Sequence, residues 1–186
     1  DEKSTIMDTH NLKRNQFILG TIHRNDNTDD PIKLNGLFDA FLRITEEKQV
    51  KLVLPLHPRT KKMMEKSLKK SVLSSIEESD WITILPPASF LDIIALEKNS
   101  RLIITDSGGL QKEAYFFNKP CVILRPQTEW VEIVEAGSAV IADTDSNTIF
   151  NAATMFLDSS DLEFPPIFGD GNAAEFIANE LINQFA

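Results

Sequence analysis

Cysteine is nearly absent from this 186-residue chain, with Cys121 standing alone. One thiol closes no intramolecular disulfide and builds no cysteine-rich zinc site. Long apolar runs are missing too. No stretch approaches the ~18 residues that span a bilayer, and the first fifteen residues, polar and mixed in charge, carry no signal-peptide pattern. Cations are scarce: 19 Lys and Arg face 28 Asp and Glu, for a net charge of -9 and a pI near 4.8. That balance excludes a sequence-independent nucleic-acid binder, which needs excess cations to neutralise phosphates. It also excludes a polybasic membrane anchor. Neither a G-x-G-x-x-G fingerprint nor a P-loop lysine occurs, which disfavours NAD binding and ATP hydrolysis. The expectation is a soluble cytoplasmic chain that contacts neither nucleic acid nor membrane. It opens at Asp1 instead of Met, which suggests a fragment of something longer.

What is present is an ordinary globular composition, 42% hydrophobic, in a length that suits one domain. Short β-rich apolar runs occupy residues 17–22, 51–56, 81–85, 101–105, 121–124 and 139–142. They are continuous and not alternating, as strands covered on both faces of a parallel sheet should be. Helix-period segments separate them, at 31–48, 59–75, 88–99, 110–117, 128–136 and 147–157, with a last one at 172–185. In the first, Leu34, Leu37, Phe38, Phe41 and Ile44 form one apolar stripe. Strand–helix alternation through six strands predicts right-handed βαβ units and an α/β doubly wound parallel six-stranded sheet, Rossmann-like. Residues 16–186 then form a single domain, and 1–15 a linker or frayed leading segment. The irregular stretch 158–171, with two prolines and two glycines, reads as a surface crossover.

Such sheets bind ligands beyond the carboxyl ends of their strands, where the strand order switches. With order 3-2-1-4-5-6, the loops after strands one and four face each other. The first of these loops offers His23 and Arg24, a pair suited to a pyrophosphate or to proton transfer. The second reads Thr105-Asp106-Ser107-Gly108-Gly109 and runs into a helix. Its glycines let the backbone approach a ligand, and the first-turn N–H groups and helix dipole attract an anion. Ser107 adds a hydroxyl, and Glu113, one turn on, can accept hydrogen bonds from a sugar diol. The ordinary alternative is that Gly-Gly merely permits a tight turn. At the same edge stand His57 and Arg59 after strand two, Phe90 after strand three and Arg125 after strand five. Arg59 and Arg125 are candidates for anionic substrate groups, and Phe90 for a base. Each has a plainer reading, as a helix-entry or packing residue. Cys121 reads as inert core, and Lys61, Lys62, Lys66, Lys69 and Lys70 as a solvated helix face. No paired acids are evident at the crevice.

Taken together these stretches resemble the non-hydrolysing UDP-N-acetylglucosamine 2-epimerase family. The resemblance rests on Thr21-Ile22-His23-Arg24 with Asn27, on the run from Thr105 to Ala114, on Lys119-Pro120, and on Leu124-Arg125 with Thr128-Glu129. Val134-Glu135-Ala136-Gly137 and the segment from Phe168 to Ala174 complete it. Within this set the Asp-Ser-Gly-Gly-x-Gln-x-Glu-Ala motif is the most specific. The resemblance implies the C-terminal half of a glycosyltransferase-B architecture, in which two Rossmann-like domains close on a UDP-sugar. It implies that Ser107, Gly108 and Gly109 bind the diphosphate, Glu113 the ribose, and the segment around Phe90 the uracil. His23 would be catalytic, assisting departure and return of UDP, and Arg24 would line the interdomain cleft. The implied reaction removes UDP across C1 and C2 and adds it back with C2 inverted, with no metal or nicotinamide cofactor. The implied partners are an N-terminal domain carrying the proton-moving carboxylates and, at full length, a second copy in a homodimer. Without that domain the chain alone is expected to be inactive.

Two departures bear on the substrate. Glu129-Trp130-Val131-Glu132 replaces the family's Glu-Arg-Pro-Glu, and His57-Pro58-Arg59-Thr60 replaces His-x-Asn-Pro. Both resemble the branch acting on UDP-2,3-diacetamido-glucuronic acid or other modified sugars of surface polysaccharides, where Arg59 would meet a substrate carboxylate. The second departure also argues against the allosteric UDP-sugar site that the family histidine near position 57 serves. A glycosyltransferase of the same architecture is the competing class, but the Glu-x7-Glu pattern frequent there is missing after Glu113.

Overall fold

The computed structural model describes residues 4–185. Strands β1 (Phe17–Thr21), β2 (Lys51–Pro55), β3 (Ile82–Leu85), β4 (Leu102–Thr105), β5 (Cys121–Ile123) and β6 (Ala139–Ile141) form one parallel sheet. Its order is β3-β2-β1-β4-β5-β6, the doubly wound order expected from the sequence. The helices are α1 (Ile6–Thr9), α2 (Asn25–Thr28), α3 (Pro31–Lys48), α4 (Pro58–Ser67), α5 (Lys70–Glu78), α6 (Phe90–Asn99), α7 (Gly108–Phe116), α8 (Val131–Glu135), α9 (Ser146–Asp158) and α10 (Ala173–Phe185).

Because successive strand residues point to opposite faces, each apolar run feeds two cores. Ile18, Leu52, Leu54 and Ile104 pack under α3 and α9; Leu19, Val53, Ile103 and Ile123 pack under α6, α7 and α8. Every residue of β1 is buried. Helix α3 begins where Asp30 accepts the N–H groups of Ile32 and Lys33 and Pro31 takes the first helical position. The predicted stripe of Leu34, Leu37, Phe38, Phe41 and Ile44 is buried. The Phe38 and Phe41 rings meet edge-to-face at 5.6 Å. Each such aromatic contributes roughly 1.5–3 kcal/mol by leaving water.

The structure departs from the sequence reading in three elements. The helix expected over 59–75 is two helices, broken at Leu68 and Lys69, whose backbones are extended (ψ 146° and 143°). The side chain of Asn35 on α3 bridges the break, donating to the Ser67 carbonyl at 2.9 Å and accepting the Lys69 N–H at 3.0 Å. Helix α8 is shorter than predicted, because residues 124–130 form the loop that closes on α7. The expected frayed lead, of which residues 1–3 lie outside the described part, is docked. Ile6 and Leu12 enter the second core and Ser4 Oγ donates to Asp92 at 2.6 Å on α6.

Candidate functional site

The switch point lies between β1 and β4, which run in register from Ile18 opposite Leu102 to Thr21 opposite Thr105. The Thr21 and Thr105 hydroxyls share a buried hydrogen bond of 2.6 Å, so the two strands end level. Beyond them Asp106, fully buried, reaches back across the gap. Its carboxylate accepts the His23 N–H (3.0 and 3.1 Å), the Arg24 N–H (2.9 Å) and the Asn27 amide (3.1 Å). Arg24 Nε donates to the Asp106 carbonyl at 3.0 Å, and Asn27 also donates to the Leu124 carbonyl at 2.9 Å. One carboxylate thereby ties the loops after β1, β4 and β5 together. Reading the sequence placed Asp106 and Asn27 in matching motifs without a task.

Helix α7 starts at Gly108 with Ser107 as its N-cap, the Ser107 hydroxyl accepting the Leu110 N–H at 3.5 Å. The N–H groups of its first turn have no intrahelical acceptor and project from the positive end of the dipole. A Cβ on Gly108 would stand 3.3 Å from Glu129 Oε2, whereas one on Gly109 meets only Ser107 Oγ at 3.9 Å. At Gly108 the backbone is already tightly flanked, and at Gly109 it is open. Trp130 Nε1 donates to the Gly108 carbonyl at 2.8 Å, and Thr128 Oγ1 donates to Gln111 at 2.6 Å. These contacts fix the helix entry from the β5 side.

Two of the candidate cations are engaged elsewhere. Arg125, buried, forms a bidentate pair with Glu129 at 2.7 and 2.6 Å. This hydrogen bond holds the Glu129 carboxyl down at about 2. Arg59 grips Asp29 at 2.5 and 2.7 Å and donates to Thr28 at 2.9 Å. Neither guanidinium stands ready for a phosphate or a substrate carboxylate in this arrangement; their forks are filled by protein acids at matching geometry.

His23, His57 and Arg59 line one cavity of about 360 Å³ with Pro55, Thr60, Pro87, Ala88 and Ile93, at the carboxyl ends of β1, β2 and β3. His57 caps α4, its Nδ1 accepting the Arg59 N–H at 3.3 Å. His23 has its pKa lowered chiefly by lost hydration, with Asp106 acting in the opposite sense and His57 reinforcing the loss. Its imidazole is therefore neutral at physiological pH, able to donate from one nitrogen and accept at the other. Phe90 opens α6 behind the Ser89–Asp92 capping box and is 71% exposed. It does not line the cavity; Pro87 and Ala88 just before it do.

A further residue was not singled out by the sequence. Glu97 on α6 is fully buried, and among the described residues neither of its oxygens has a hydrogen-bond partner. Its charged-group neighbour is Glu113 on α7. Burial, then the contact with Glu113, pushes the Glu97 carboxyl up to about 9. No apolar period announces it: Glu97 follows Ala95 and Leu96, the other buried residues of α6, while Phe90 seven residues earlier is exposed.

The fold and this edge define a doubly wound α/β domain with a serine-capped, glycine-rich helix start at its switch point. The family model for UDP-N-acetylglucosamine 2-epimerase matches residues 1–182, and the chain belongs to that family. It is 37% identical, over 96% of its length, to a UDP-N-acetylglucosamine 2-epimerase homolog of Methanococcus maripaludis, of which it covers 48%. It is 40% identical, over 89% of its length, to the UDP-2,3-diacetamido-2,3-dideoxy-D-glucuronate 2-epimerase of Pseudomonas aeruginosa, of which it covers 44%. The structure of UDP-GlcNAc 2-epimerase from Methanocaldococcus jannaschii superposes with a TM-score of 0.84 at 30% identity, covering 98% of this chain and 50% of that one. The same enzyme in complex with UDP-GlcNAc and UDP superposes at 0.79. The chain spans about half the length of the curated relatives it matches.

Proposed function

We propose that this chain is the nucleotide-binding half of a UDP-N-acetylglucosamine 2-epimerase of glycosyltransferase-B architecture. The observation that carries the reading is the Asp106 bridge, which holds the His23–Arg24 loop against the Ser107-capped start of α7. The N–H groups of Gly108 and Gly109 and the Ser107 hydroxyl take the diphosphate, and Glu113 takes the ribose diol. The segment from Pro87 to Phe90 takes the uracil, and Arg24 lines the cleft toward the partner domain. In the reaction the C1–O bond breaks, its electron pair leaves with UDP, and a base on the N-terminal half removes the C2 proton. The glycal formed re-adds UDP at C1 while C2 is reprotonated on the opposite face. Neutral His23 donates a hydrogen bond to the departing phosphate oxygen, which accumulates charge in the transition state. The cytoplasm, a homodimeric full-length enzyme and a role in surface polysaccharide synthesis complete the proposal.

A second substrate is favoured by one specific likeness, the 40% identity to the diacetamido-glucuronate epimerase. On that reading Arg59 exchanges Asp29 for the uronate carboxylate when substrate enters.

Calorimetric titration with UDP tests the site. Wild-type chain is expected to bind. Ser107→Ala and Glu113→Ala, each removing a hydrogen bond to the ligand, should weaken binding roughly tenfold each. Unchanged affinity in both would overturn the assignment.

A further inference from the structure

The peptide unit between Gly108 and Gly109 has no side chain of its own to hold it. A trans peptide is planar, so the Gly108 carbonyl and the Gly109 N–H point in opposite directions and turn as one body. That turn runs through ψ of Gly108 and φ of Gly109, and neither residue has a Cβ to oppose it. The neighbouring donors are committed. The Ser107 N–H goes to Thr105 Oγ1 at 2.9 Å, the Leu110 N–H to the Ser107 hydroxyl at 3.5 Å and the Gln111 N–H to the Ser107 carbonyl at 3.3 Å. Among the described residues no acceptor meets the N–H of Gly108 or Gly109, and Gly109 is exposed.

On the carbonyl side of that unit sits Trp130. Its Nε1–H, the one donor an indole has, meets the Gly108 carbonyl at 2.8 Å, in addition to the Lys112 N–H that the helical pattern supplies. The indole is itself clamped. Phe168 meets its ring edge-to-face at 5.8 Å, and the Lys112 ammonium stands 4.2 Å from the ring centroid. The Trp130 N–H donates to Thr128 Oγ1 at 3.0 Å, and that hydroxyl donates to Gln111 on α7 at 2.6 Å. A half-buried indole needs only some acceptor for its N–H. This one takes the carbonyl of the single peptide unit that has glycine on both sides.

We propose that Trp130 is a positioning residue for diphosphate binding: its indole N–H holds the Gly108 carbonyl so that the Gly109 N–H points out from the helix start at the phosphate oxygens. This rests on the assignment of the diphosphate to Ser107, Gly108 and Gly109. Without the indole bond the peptide unit samples other orientations, and the ligand has to freeze one of them. With it, the donor is set before the ligand arrives. A hydrogen bond accepted by the carbonyl also strengthens the N–H of the same unit as a donor, because linked hydrogen bonds polarise one another. The coupling is reciprocal, so a phosphate on the Gly109 N–H tightens the Trp130 bond in turn.

The test titrates UDP and uridine into the 186-residue chain and follows amide and indole protons by NMR. The ratio of the two dissociation constants isolates the diphosphate. Wild type is expected to prefer UDP by about tenfold or more, the worth of charged hydrogen bonds to phosphate. Trp130→Phe keeps a ring against Phe168 and Lys112 and removes the N–H. It should weaken UDP about fivefold, the worth of one hydrogen bond, and leave uridine unchanged within about twofold. A folded Trp130→Phe with the wild-type ratio overturns the proposal, whether both affinities stand or both fall together. The second arm needs the indole intact. The chain has two tryptophans, and Trp81→Phe leaves the indole N–H of Trp130 as the one such signal. UDP should move that signal downfield, as a tightened hydrogen bond does, and uridine should not. An indole proton that UDP leaves in place overturns the proposal, and this arm decides the matter if Trp130→Phe does not fold. A wild type that binds uridine as tightly as UDP refutes the diphosphate assignment, and no binding of either refutes the nucleotide site; each result removes this inference with it.

Discussion

Asp106 is the residue on which the site's geometry depends. Its three acceptor bonds run to a loop about eighty positions earlier in the chain, and none is replaceable by water, since the carboxylate is fully buried. Asp106→Asn keeps the shape but turns one oxygen into a donor facing N–H groups. We expect a loss of about 2–4 kcal/mol in denaturant unfolding, from lost charged hydrogen bonds and buried unsatisfied donors. UDP affinity should fall as the His23 loop detaches; a variant of wild-type stability would show that the bridge is dispensable. Glu97 gives a second residue-scale outcome. Its folded pKa, about 9, lies above the ordinary carboxylate value. The folded state therefore holds this proton more tightly than the unfolded state. The associated stability is complete below about pH 4.5 and is lost as pH rises toward 9. The melting temperature of wild type should drop more between pH 6 and 9 than that of Glu97→Gln. Parallel curves would mean that Glu97 does not hold its proton.

Among the elements, strands were legible because burial on both faces leaves continuous apolar runs, and helix α3 because its cap and stripe agree. The α4–α5 break was not legible. It is made by Asn35, which is distant in sequence, and nothing in the Lys-rich run from 59 to 75 announces it. The same holds for the site. Ser107, Gly108 and Gly109 are readable as a local pattern, whereas the Arg125–Glu129 and Arg59–Asp29 pairs depend on which acids the fold brings near. Asn35→Ala leaves the Ser67 carbonyl and Lys69 N–H without their bridge, at an expected cost of about 1–3 kcal/mol. Thermal unfolding of that variant measures the effect. Because α4 also supplies Arg59 and the Thr60 wall of the cavity, UDP binding should stay close to wild type only if the cavity beside β2 is not part of the nucleotide site.

At the scale of the molecule, the acidic total of -9 had been set against a local group of His23, Arg24, Arg59 and Arg125 awaiting an anion. The structure reduces that group. Arg59 and Arg125 are matched by Asp29 and Glu129, and His23 is neutral at physiological pH. Attraction for a diphosphate then falls to Arg24 and to the dipole and N–H groups of α7, which act within the first helical turn. Interactions of that range lie inside the ~10 Å Debye length at 0.1 M salt and are weakly screened, whereas repulsion from the distributed surface acids is long-ranged and screened readily. The two effects oppose each other. UDP affinity should therefore change by less than about threefold between 50 and 500 mM NaCl, unlike the steep loss seen when several phosphates are neutralised by free cations. Calorimetry across that range checks it. A fall of tenfold or more would mean that Arg59 and Arg125 leave their acids to meet the ligand, and that the cations at this edge act as a long-range field.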